Sequence, residues 1–457
     1  MAYDILEKMY NQNPWWEDYG LIKEDYHLRE LQKNKFVFLN EEFLEERFLD
    51  GVYIVTGMRQ IGKTTHLKLL IQKMINDKNK ENFLYFNCDI LDSKKEIVEL
   101  IEKYFQNFKT DKKRFIILDE ITSVKDGILA IKYLIDKGEN KKITYILTGS
   151  STVNIKKTGE FLPGRRGKGK DFLFLPVSFS KFLMIQYPKV DFNLPAKKSL
   201  EKFYFSLKQK IPLQRELNNY LICGGIPRLI NNYLDKKEID FDNFNLYKSW
   251  IISETAKNKK REQIVRIILE RVLASLGSDV SYNSFASDTG IGSHNTVYEY
   301  LNFLEDAFIG KQIYNYDYHQ KKINFKKNKK IYLRDPFLFW LLNWWINGDL
   351  KFCQKIKKDP ILKSKIAENL VFLHLELLFG EIFFYREKYE IDFIYKNLAW
   401  ECKYQNKISQ RDFGELLKFP GKKFVITKEA FKISPGLQLI PLELFLLLKK
   451  NYFSTVF

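Results

Sequence analysis

The chain has 457 residues, enough for about three domains, and 45% of them are hydrophobic, so each domain could bury a core of its own. Lys and Arg number 75 against 57 Asp and Glu, which gives a formal net charge of +18. This composition excludes a largely disordered chain. The basic charge favours polyanions such as nucleic acid as partners, although a Lys-rich, solvated surface would give the same charge.

The four cysteines, Cys88, Cys223, Cys353 and Cys402, lack the spacing of metal ligands. Cys88 and Cys402 lie in apolar runs that are predicted to be strands, so we expect buried thiols in a reducing cytosol. The N-terminus lacks a basic-then-apolar targeting design, and no uncharged apolar run reaches about 18 residues. These features predict a soluble, cytoplasmic protein without a membrane partner.

Residues 1–45 are predicted to form an N-terminal arm, which contains the motif NPWW at residues 13–16. Two adjacent tryptophans need an apolar surface. We expect the arm to dock on the domain that follows it, with a neighbouring subunit as the alternative.

Five short apolar runs follow the arm, separated by segments of helical length: 52–56, 83–88, 114–119, 143–148 and 172–175. Runs that are apolar on both faces predict a parallel sheet covered by helices on both sides. Residues 46–210 are therefore predicted to form an α/β domain.

The first run leads into GMRQIGKTT, which contains the phosphate-loop pattern G-x-x-x-x-G-K-[ST] and is followed by apolar residues at helical spacing. Backbone N–H groups of such a loop hold phosphates, while Lys63 would reach the β and γ phosphates and Thr64 would supply a hydroxyl to Mg²⁺. The residues predicted to contact the nucleotide here are Gly57, Gln60, Ile61, Gly62, Lys63, Thr64 and Thr65.

The third run ends in FIILDEI, which places Asp119 and Glu120 at the carboxyl edge of the predicted sheet. Asp119 is predicted to hold Mg²⁺ and Glu120 to polarise the attacking water. The fourth run ends in YILTGSS, where Thr148 or, by preference, Ser150 would sense the γ-phosphate. Together these residues predict hydrolysis of the nucleotide and not binding alone.

The loop LPGRRGKGKD contains Arg165 and Arg166. A guanidinium in this position could stabilise transition-state charge on the γ-phosphate of a neighbouring subunit, which predicts a homo-oligomer. A basic surface loop is the alternative.

Helical patterns continue from Pro212 to about Ala274 with a break at CGGIP, and residues 211–274 are predicted to form a helical domain. Residues 275–345 are predicted to form a winged helix, because 281–309 reads as helix, Gly-containing turn and helix, capped by Ser293, and 319–333 reads as a hairpin wing. The side chains predicted to contact DNA are His294, Asn295, Tyr298, Asn302, Lys321, Lys322, Lys326, Lys327, Lys329 and Lys330. A packing module with a solvated wing is the alternative.

Residues 346–457 read as helix, strands, a second helix over 409–419, and a final strand. In YEIDFIYKNLAWECKY, strand alternation places Glu390 and Asp392 on one face, and Glu401 and Lys403 on one face of the next strand. Three acids and a lysine can therefore converge. A solvated cross-strand ion pair is the alternative.

The order of the phosphate loop, LDEI, LTGSS, GRR, LPVSFSKFL, YLICGGIP and KIYLRDPFLFWLL resembles the archaeal-type ATPases of the AAA+ superfamily over nearly the whole chain. The resemblance implies an AAA+ parallel sheet with a helical lid, ATP and Mg²⁺ as cofactors, and a second sensor at Arg228.

The C-terminal set resembles the PD-(D/E)XK signature of restriction-endonuclease-like α/β domains. That resemblance implies Asp392 and Glu401 as Mg²⁺ ligands, Lys403 positioning or activating the water, and Glu368 as an additional acid. The sequence departs from the signature because Glu390-Ile391 stands before the aspartate where the signature has its proline.

Two phosphate chemistries and a basic charge predict an ATP-hydrolysing protein that binds duplex or branched DNA and couples its nucleotide cycle to cleavage by a metal-dependent nuclease-like domain. The alternative is a nucleotide-switched regulatory protein whose nuclease-like and winged-helix domains bind without cutting.

Overall fold

The computed structural model describes residues 5–138, 141–149, 164–193, 200–348 and 359–455. The chain divides into two compact units, Met1–Leu175 and Pro176–Phe457. The finer division into five parts stays a prediction. Among the described residues, every helix is too short or too polar to cross a membrane.

The first unit is built on a five-stranded sheet in the order β2-β3-β4-β1-β5, and all neighbouring strands are parallel. This confirms the predicted parallel sheet. Cys88 lies one residue beyond β2, at the start of a short 3-10 helix. The strands are β1 Gly51–Gly57, β2 Phe83–Asn87, β3 Arg114–Asp119, β4 Ile143–Thr148 and β5 Asp171–Phe174.

Helices cover this sheet with apolar stripes. In the helix Lys94–Asn107 the buried side chains Ile97, Leu100, Ile101 and Tyr104 recur at helical spacing. The described helices of the unit are Ile5–Gln12, Tyr26–Lys33, Glu41–Leu44, Lys63–Met74, Lys94–Asn107 and Gly127–Asp136, with 3-10 helices at Pro14–Trp16, Tyr19–Glu24, Lys80–Asn82, Cys88–Ile90 and Ile121–Ser123.

The N-terminal arm docks on the outer edge of β2. This confirms the prediction that the arm packs on the domain that follows it in the same chain. Asn13 accepts a hydrogen bond from Tyr85 N at 2.7 Å through Oδ1 and donates to Tyr85 O at 2.8 Å through Nδ2. Trp15 and Trp16 both donate from Nε1 to Phe83 O, at 3.2 and 2.9 Å. Because an edge strand leaves its backbone groups unpaired, these side chains take the place of a sixth strand.

The second unit begins with helices, which confirms the helical segments predicted after Pro212 and the pair of helices within 281–309. Ser293 caps the second helix of that pair by accepting a hydrogen bond from Asn295 N. The described helices are Phe179–Gln186, Leu200–Lys210, Leu213–Cys223, Pro227–Lys236, Phe241–Lys257, Glu262–Ala274, Tyr282–Thr289, His294–Asp306, Pro336–Asn347, Pro360–Phe379, Leu442–Phe445 and Lys450–Thr455.

A nine-stranded sheet occupies the rest of this unit, in the order β13-β14-β12-β11-β10-β9-β7-β8-β6. The hairpin β7–β8 joins the C-terminal strands through the pair Asn315 and Phe384 in β9. The strands are β6 Asp279–Val280, β7 Gly310–Asp317, β8 Lys322–Leu333, β9 Phe383–Arg386, β10 Glu390–Tyr395, β11 Leu398–Lys403, β12 Lys422–Thr427, β13 Lys432–Ser434 and β14 Leu437–Pro441.

The predicted helix over 409–419 is wrong. Two 3-10 helices, Gln410–Phe413 and Leu416–Lys418, stand there with Gly414 between them. Glycine loses more backbone entropy than other residues on entering a helix, and Pro420 limits the segment at its end.

We expect Asn13→Leu to lower the free energy of unfolding of the first unit by about 2–4 kcal/mol, because it leaves the N–H and C=O of Tyr85 buried without partners. Hydrogen exchange of the β2 amides at rising urea concentration measures this. Asn11→Leu, an exposed position two residues away, is the matched control and should stay within about 0.5 kcal/mol of the parent. Equal effects of the two changes would contradict the role given to Asn13.

Candidate functional site

The phosphate-loop motif connects β1 directly to the helix Lys63–Met74. Two glycines are required by the backbone: a Cβ at Gly57 would lie 2.2 Å from Phe174 O, and Gly62 has a φ of 93°. The ammonium of Lys63 donates to Gly57 O at 3.1 Å and to Met58 O at 3.2 Å. The loop is therefore closed around this Lys63 ammonium, which is the group predicted to reach the phosphates.

The carboxylate of Asp119 collects three hydroxyl groups at the carboxyl edge of the sheet. Its Oδ2 accepts from Thr64 Oγ1 at 2.6 Å and from Tyr85 OH at 3.1 Å, and its Oδ1 accepts from Thr148 Oγ1. Asp119 itself is 1% exposed. The structure thus brings together Thr64 and Asp119, whose hydroxyl and carboxylate oxygens are the donors that Mg²⁺ prefers. These two residues fit a magnesium ion.

Glu120 follows with a φ of 51°, which turns the chain away from the strand direction. Its backbone N donates to Thr148 Oγ1 at 2.9 Å. Thr148 therefore connects the backbone of Glu120 to the carboxylate of Asp119. Ser150, the preferred sensor candidate, lies outside the described residues.

Arg165 and Arg166 lie near the amino end of β1, whereas the phosphate loop follows its carboxyl end. Arg166 O accepts from Val52 N at 2.9 Å, at the start of the seven-residue strand β1, whose length is about 20 Å at ~3.3 Å per residue. Arg165 Nε donates to Asp136 Oδ1 at 2.5 Å, and Arg166 pairs with Asp171. Neither arginine reaches the phosphate loop of its own chain, and the role at a neighbouring subunit stays a prediction.

The motif reading missed His66, which ties the arm to the phosphate loop. Asn40 N donates to His66 Nε2 at 2.9 Å, so Nδ1 carries the proton and donates to Gly62 O at 2.8 Å. Burial lowers the pKa of His66, which agrees with this neutral form. The spacing of four residues between Gly62 and His66 on one helix was the available signal.

Lys68 was missed as well. Its Nζ lies 3.2 Å from Asp25 Oδ2 in the arm and 3.5 Å from the ring centroid of Tyr85. Burial lowers the pKa of Lys68, and Asp25 counters part of that effect. Through Tyr85, this cation links the arm to Asp119.

The acids predicted at the C-terminal sheet converge, but on the ammonium of Lys330. Lys330 Nζ lies 2.8 Å from Glu390 Oε1, 2.9 Å from Asp392 Oδ1 and 3.3 Å from Glu368 Oε1. Tyr332 OH donates to the same Glu368 oxygen at 2.7 Å. We call Lys330, Glu368, Glu390, Asp392, Glu401 and Lys403 the carboxylate centre.

Asp392 and Glu401 have further partners in the centre. Cys402 N donates to Asp392 Oδ2 at 3.0 Å, so both oxygens of Asp392 are engaged. Lys403 Nζ lies 2.7 Å from Glu401 Oε1. The alternative of a solvated ion pair is wrong, because Asp392 and Glu401 are 7% and 8% exposed.

Burial raises the pKa of Glu368 to about 7 and that of Glu401 to about 8. Burial acts in the same direction on Asp392, but the ammonium groups of Lys330 and Lys403 outweigh it and hold the pKa of Asp392 below its ordinary value. The lysines of the chain itself thus favour the charged form of Asp392.

Mg²⁺ at Asp392 and Glu401 does not fit this arrangement, since each predicted ligand already holds an ammonium group. Within the described ranges, no group of three or more His, Cys, Asp or Glu side chains is arranged to hold a metal ion.

The predicted DNA surface is corrected at two lysines. Lys329 and Lys330 are 3% and 0% exposed, because β6 and β7 flank this end of β8 and the helix Pro360–Phe379 packs on it. Lys327 pairs with Glu387 at 2.5 Å, and Asn302 is half-buried. The side chains that are exposed as predicted are His294, Asn295, Tyr298, Lys321, Lys322 and Lys326.

Two stretches of the chain match models of known families. Residues 50–183 match the AAA domain family. The five-stranded parallel sheet is typical of this AAA domain. Residues 214–345 match a domain of unknown function, DUF8612, which spans the predicted lid and winged helix.

The chain is similar to the uncharacterized protein MJ1544 of Methanocaldococcus jannaschii, with 28% identity over 75% of this chain and 71% of that protein. Among solved structures, Aeropyrum pernix ORC2 matches with a TM-score of 0.36 and 14% identity over 71% of this chain and 94% of that one. Pyrobaculum aerophilum Cdc6p matches with a TM-score of 0.28 and 15% identity, covering 71% and 95%. Thermotoga maritima RuvB matches with a TM-score of 0.27 and 14% identity, covering 62% and 88%.

We expect Thr148→Val to lower the rate of ATP hydrolysis by about 10- to 100-fold, because Asp119 and the backbone of Glu120 both lose their hydroxyl partner and shift. Thr148→Ser keeps the hydroxyl and should retain most of the rate. Steady-state phosphate release measures both variants. A rate in the valine variant equal to that of the serine variant would show that the hydroxyl does not position these acids.

Proposed function

We propose that this chain is an ATP-hydrolysing AAA protein that binds DNA through the surface formed by residues 282–333. The observation that carries the ATPase part is the carboxylate of Asp119, which holds Thr64, Tyr85 and Thr148 around it beside the phosphate loop.

In this proposal the loop amides of residues 57–65 bind the nucleotide phosphates. Lys63 exchanges its two carbonyl partners for phosphate oxygens, and Thr64 and Asp119 hold the magnesium ion. Magnesium, when bound, neutralises and orients the β and γ phosphates. Glu120 accepts a hydrogen bond from the attacking water and orients it, while Thr148 keeps Glu120 beside Asp119.

The DNA part is supported by exposure and charge. The helix His294–Asp306 begins with exposed His294 and Asn295, and Tyr298 follows one turn later with 47% of its surface exposed. The tip of the hairpin adds the exposed lysines Lys321, Lys322 and Lys326. Side chains of these types contact bases and phosphates at helix-and-wing surfaces.

The alternative of binding without cutting is the form of the proposal that we favour for the second unit. Its support is the ammonium of Lys330 among Glu368, Glu390 and Asp392. Cleavage assays on single-stranded, duplex and branched DNA with Mg²⁺ or Mn²⁺ should detect no activity. Cleavage that disappears in Asp392→Ala while ATP hydrolysis persists would establish the nuclease function instead.

Lys63→Ala should reduce ATP hydrolysis by about 100-fold or more, because it removes the ammonium that meets the developing phosphate charge. Lys73→Ala, an exposed lysine on the same helix, is the matched control and should hydrolyse ATP normally. Phosphate release at saturating ATP measures both. Turnover in Lys63→Ala at the parent rate would refute the assignment of this loop.

The triple variant Lys321→Ala, Lys322→Ala, Lys326→Ala should weaken duplex binding, and its slope of log affinity against log salt should be lower by about 2–3, as expected for the loss of three phosphate contacts. Fluorescence anisotropy over a salt series measures the slope. The control removes three exposed lysines of the helix Leu200–Lys210, at positions Lys202, Lys208 and Lys210. Equal slopes in the two triple variants would place the DNA surface elsewhere.

A further inference from the structure

We propose that the Lys330 ammonium is the resident cation of the carboxylate centre: it occupies the place at Asp392 that a divalent metal ion would need, and it keeps this centre free of metal. The inference concerns the chain's own residues and does not depend on the proposed DNA binding.

The number of carboxylates around Lys330 equals the number of N–H donors of its ammonium group. Its three N–H donors face three carboxylates, those of Glu390, Asp392 and Glu368, at 2.8, 2.9 and 3.3 Å. These are hydrogen-bond distances, whereas magnesium–oxygen bonds are about 2.0–2.1 Å. The acids are therefore spaced around a nitrogen atom, and Lys330 is fully buried among them.

The backbone holds Lys330 in this place. At this position β8 lies between two strands, with Lys330 in register with Asp279 of β6 and Ile313 of β7. Leu333 lies three residues after Lys330 on the same strand. The side chain of Asn369 accepts a hydrogen bond from the N–H of Leu333 at 2.7 Å and donates one to its C=O at 2.9 Å. Withdrawal of the side chain by movement of β8 would break these pairs together.

The acids are also held from their other sides. Glu390 receives Arg386 at 2.6 Å, and Glu368 receives Tyr332 at 2.7 Å. Asp392 Oδ2 is bonded to Cys402 N. A divalent ion at Asp392 would have to displace Lys330 or share an oxygen with it, and two cations a few ångströms apart in a buried site repel strongly.

The test measures binding of Mn²⁺ to the full chain without nucleotide. The readout is the electron paramagnetic resonance signal of free Mn²⁺, which falls as the ion binds. The parent and Asp392→Asn should bind the same amount. Lys330→Met should gain one Mn²⁺ site that the parent lacks, and the double variant Lys330→Met, Asp392→Asn should lose it again.

Lys329→Met is the matched control. Lys329 is the neighbouring buried lysine, and its Nζ lies 4.1 Å from the ring centroid of Tyr282. Lys329→Met also removes one positive charge and keeps the length of the side chain. It should leave Mn²⁺ binding at the parent level.

An Asp392-dependent Mn²⁺ site in the parent overturns the inference, and so does a folded Lys330→Met that gains none. Should Lys330→Met fail to fold, the comparison of parent with Asp392→Asn decides, with equal binding supporting the inference. ATP hydrolysis and DNA affinity are measured separately, so failure here is distinguishable from failure of the proposed function.

Discussion

In the first unit, the side chains at the carboxyl ends of the strands, beside the phosphate-loop motif, are organised around one buried carboxylate, that of Asp119. A buried charge without partners is costly, so the hydroxyl groups that meet Asp119 must keep their places. They come from the phosphate-loop helix, from β2 and from β4, which means that three elements converge on one side chain. Because Tyr85 also stacks under Lys68, and Lys68 pairs with Asp25, the N-terminal arm is held by the same set of contacts.

The second unit also buries a charged group that needs partners, but here the buried group is a cation and its partners are carboxylates. Lys330 is a buried cation, and carboxylates from a helix and a strand surround it. Truncating one partner of such a group is costly because the others stay buried and charged. The pairing connects β8 with β10 inside the nine-stranded sheet, to which the segment predicted as a separate wing belongs.

The elements whose pattern is local were predictable. Apolar runs identified the five parallel strands, and the motif between β1 and its helix identified the phosphate loop, with Asp119 at the end of β3. The predicted helix over 409–419 is wrong because Gly414 interrupts the segment, which forms two 3-10 helices instead. The six lysines of 319–333 are all predicted to contact DNA, yet Lys330 is fully buried while Lys321 is exposed. Their chemistry is identical, so composition cannot separate them.

The sequence by itself determined where the five strands lie along the chain, the position of the phosphate-loop motif, and the acids Asp119 and Glu120 at the end of β3, because spacing and alternation are properties of contiguous residues. Only the tertiary structure decided which distant groups meet. It places Lys330 beside Glu368 and Asp392, which are 38 and 62 residues away, and it places Arg165 and Arg166 near the amino end of β1, whereas the phosphate loop follows its carboxyl end. The reason is physical: the partner of a buried charge is chosen by how strands and helices pack, and no local pattern encodes that choice.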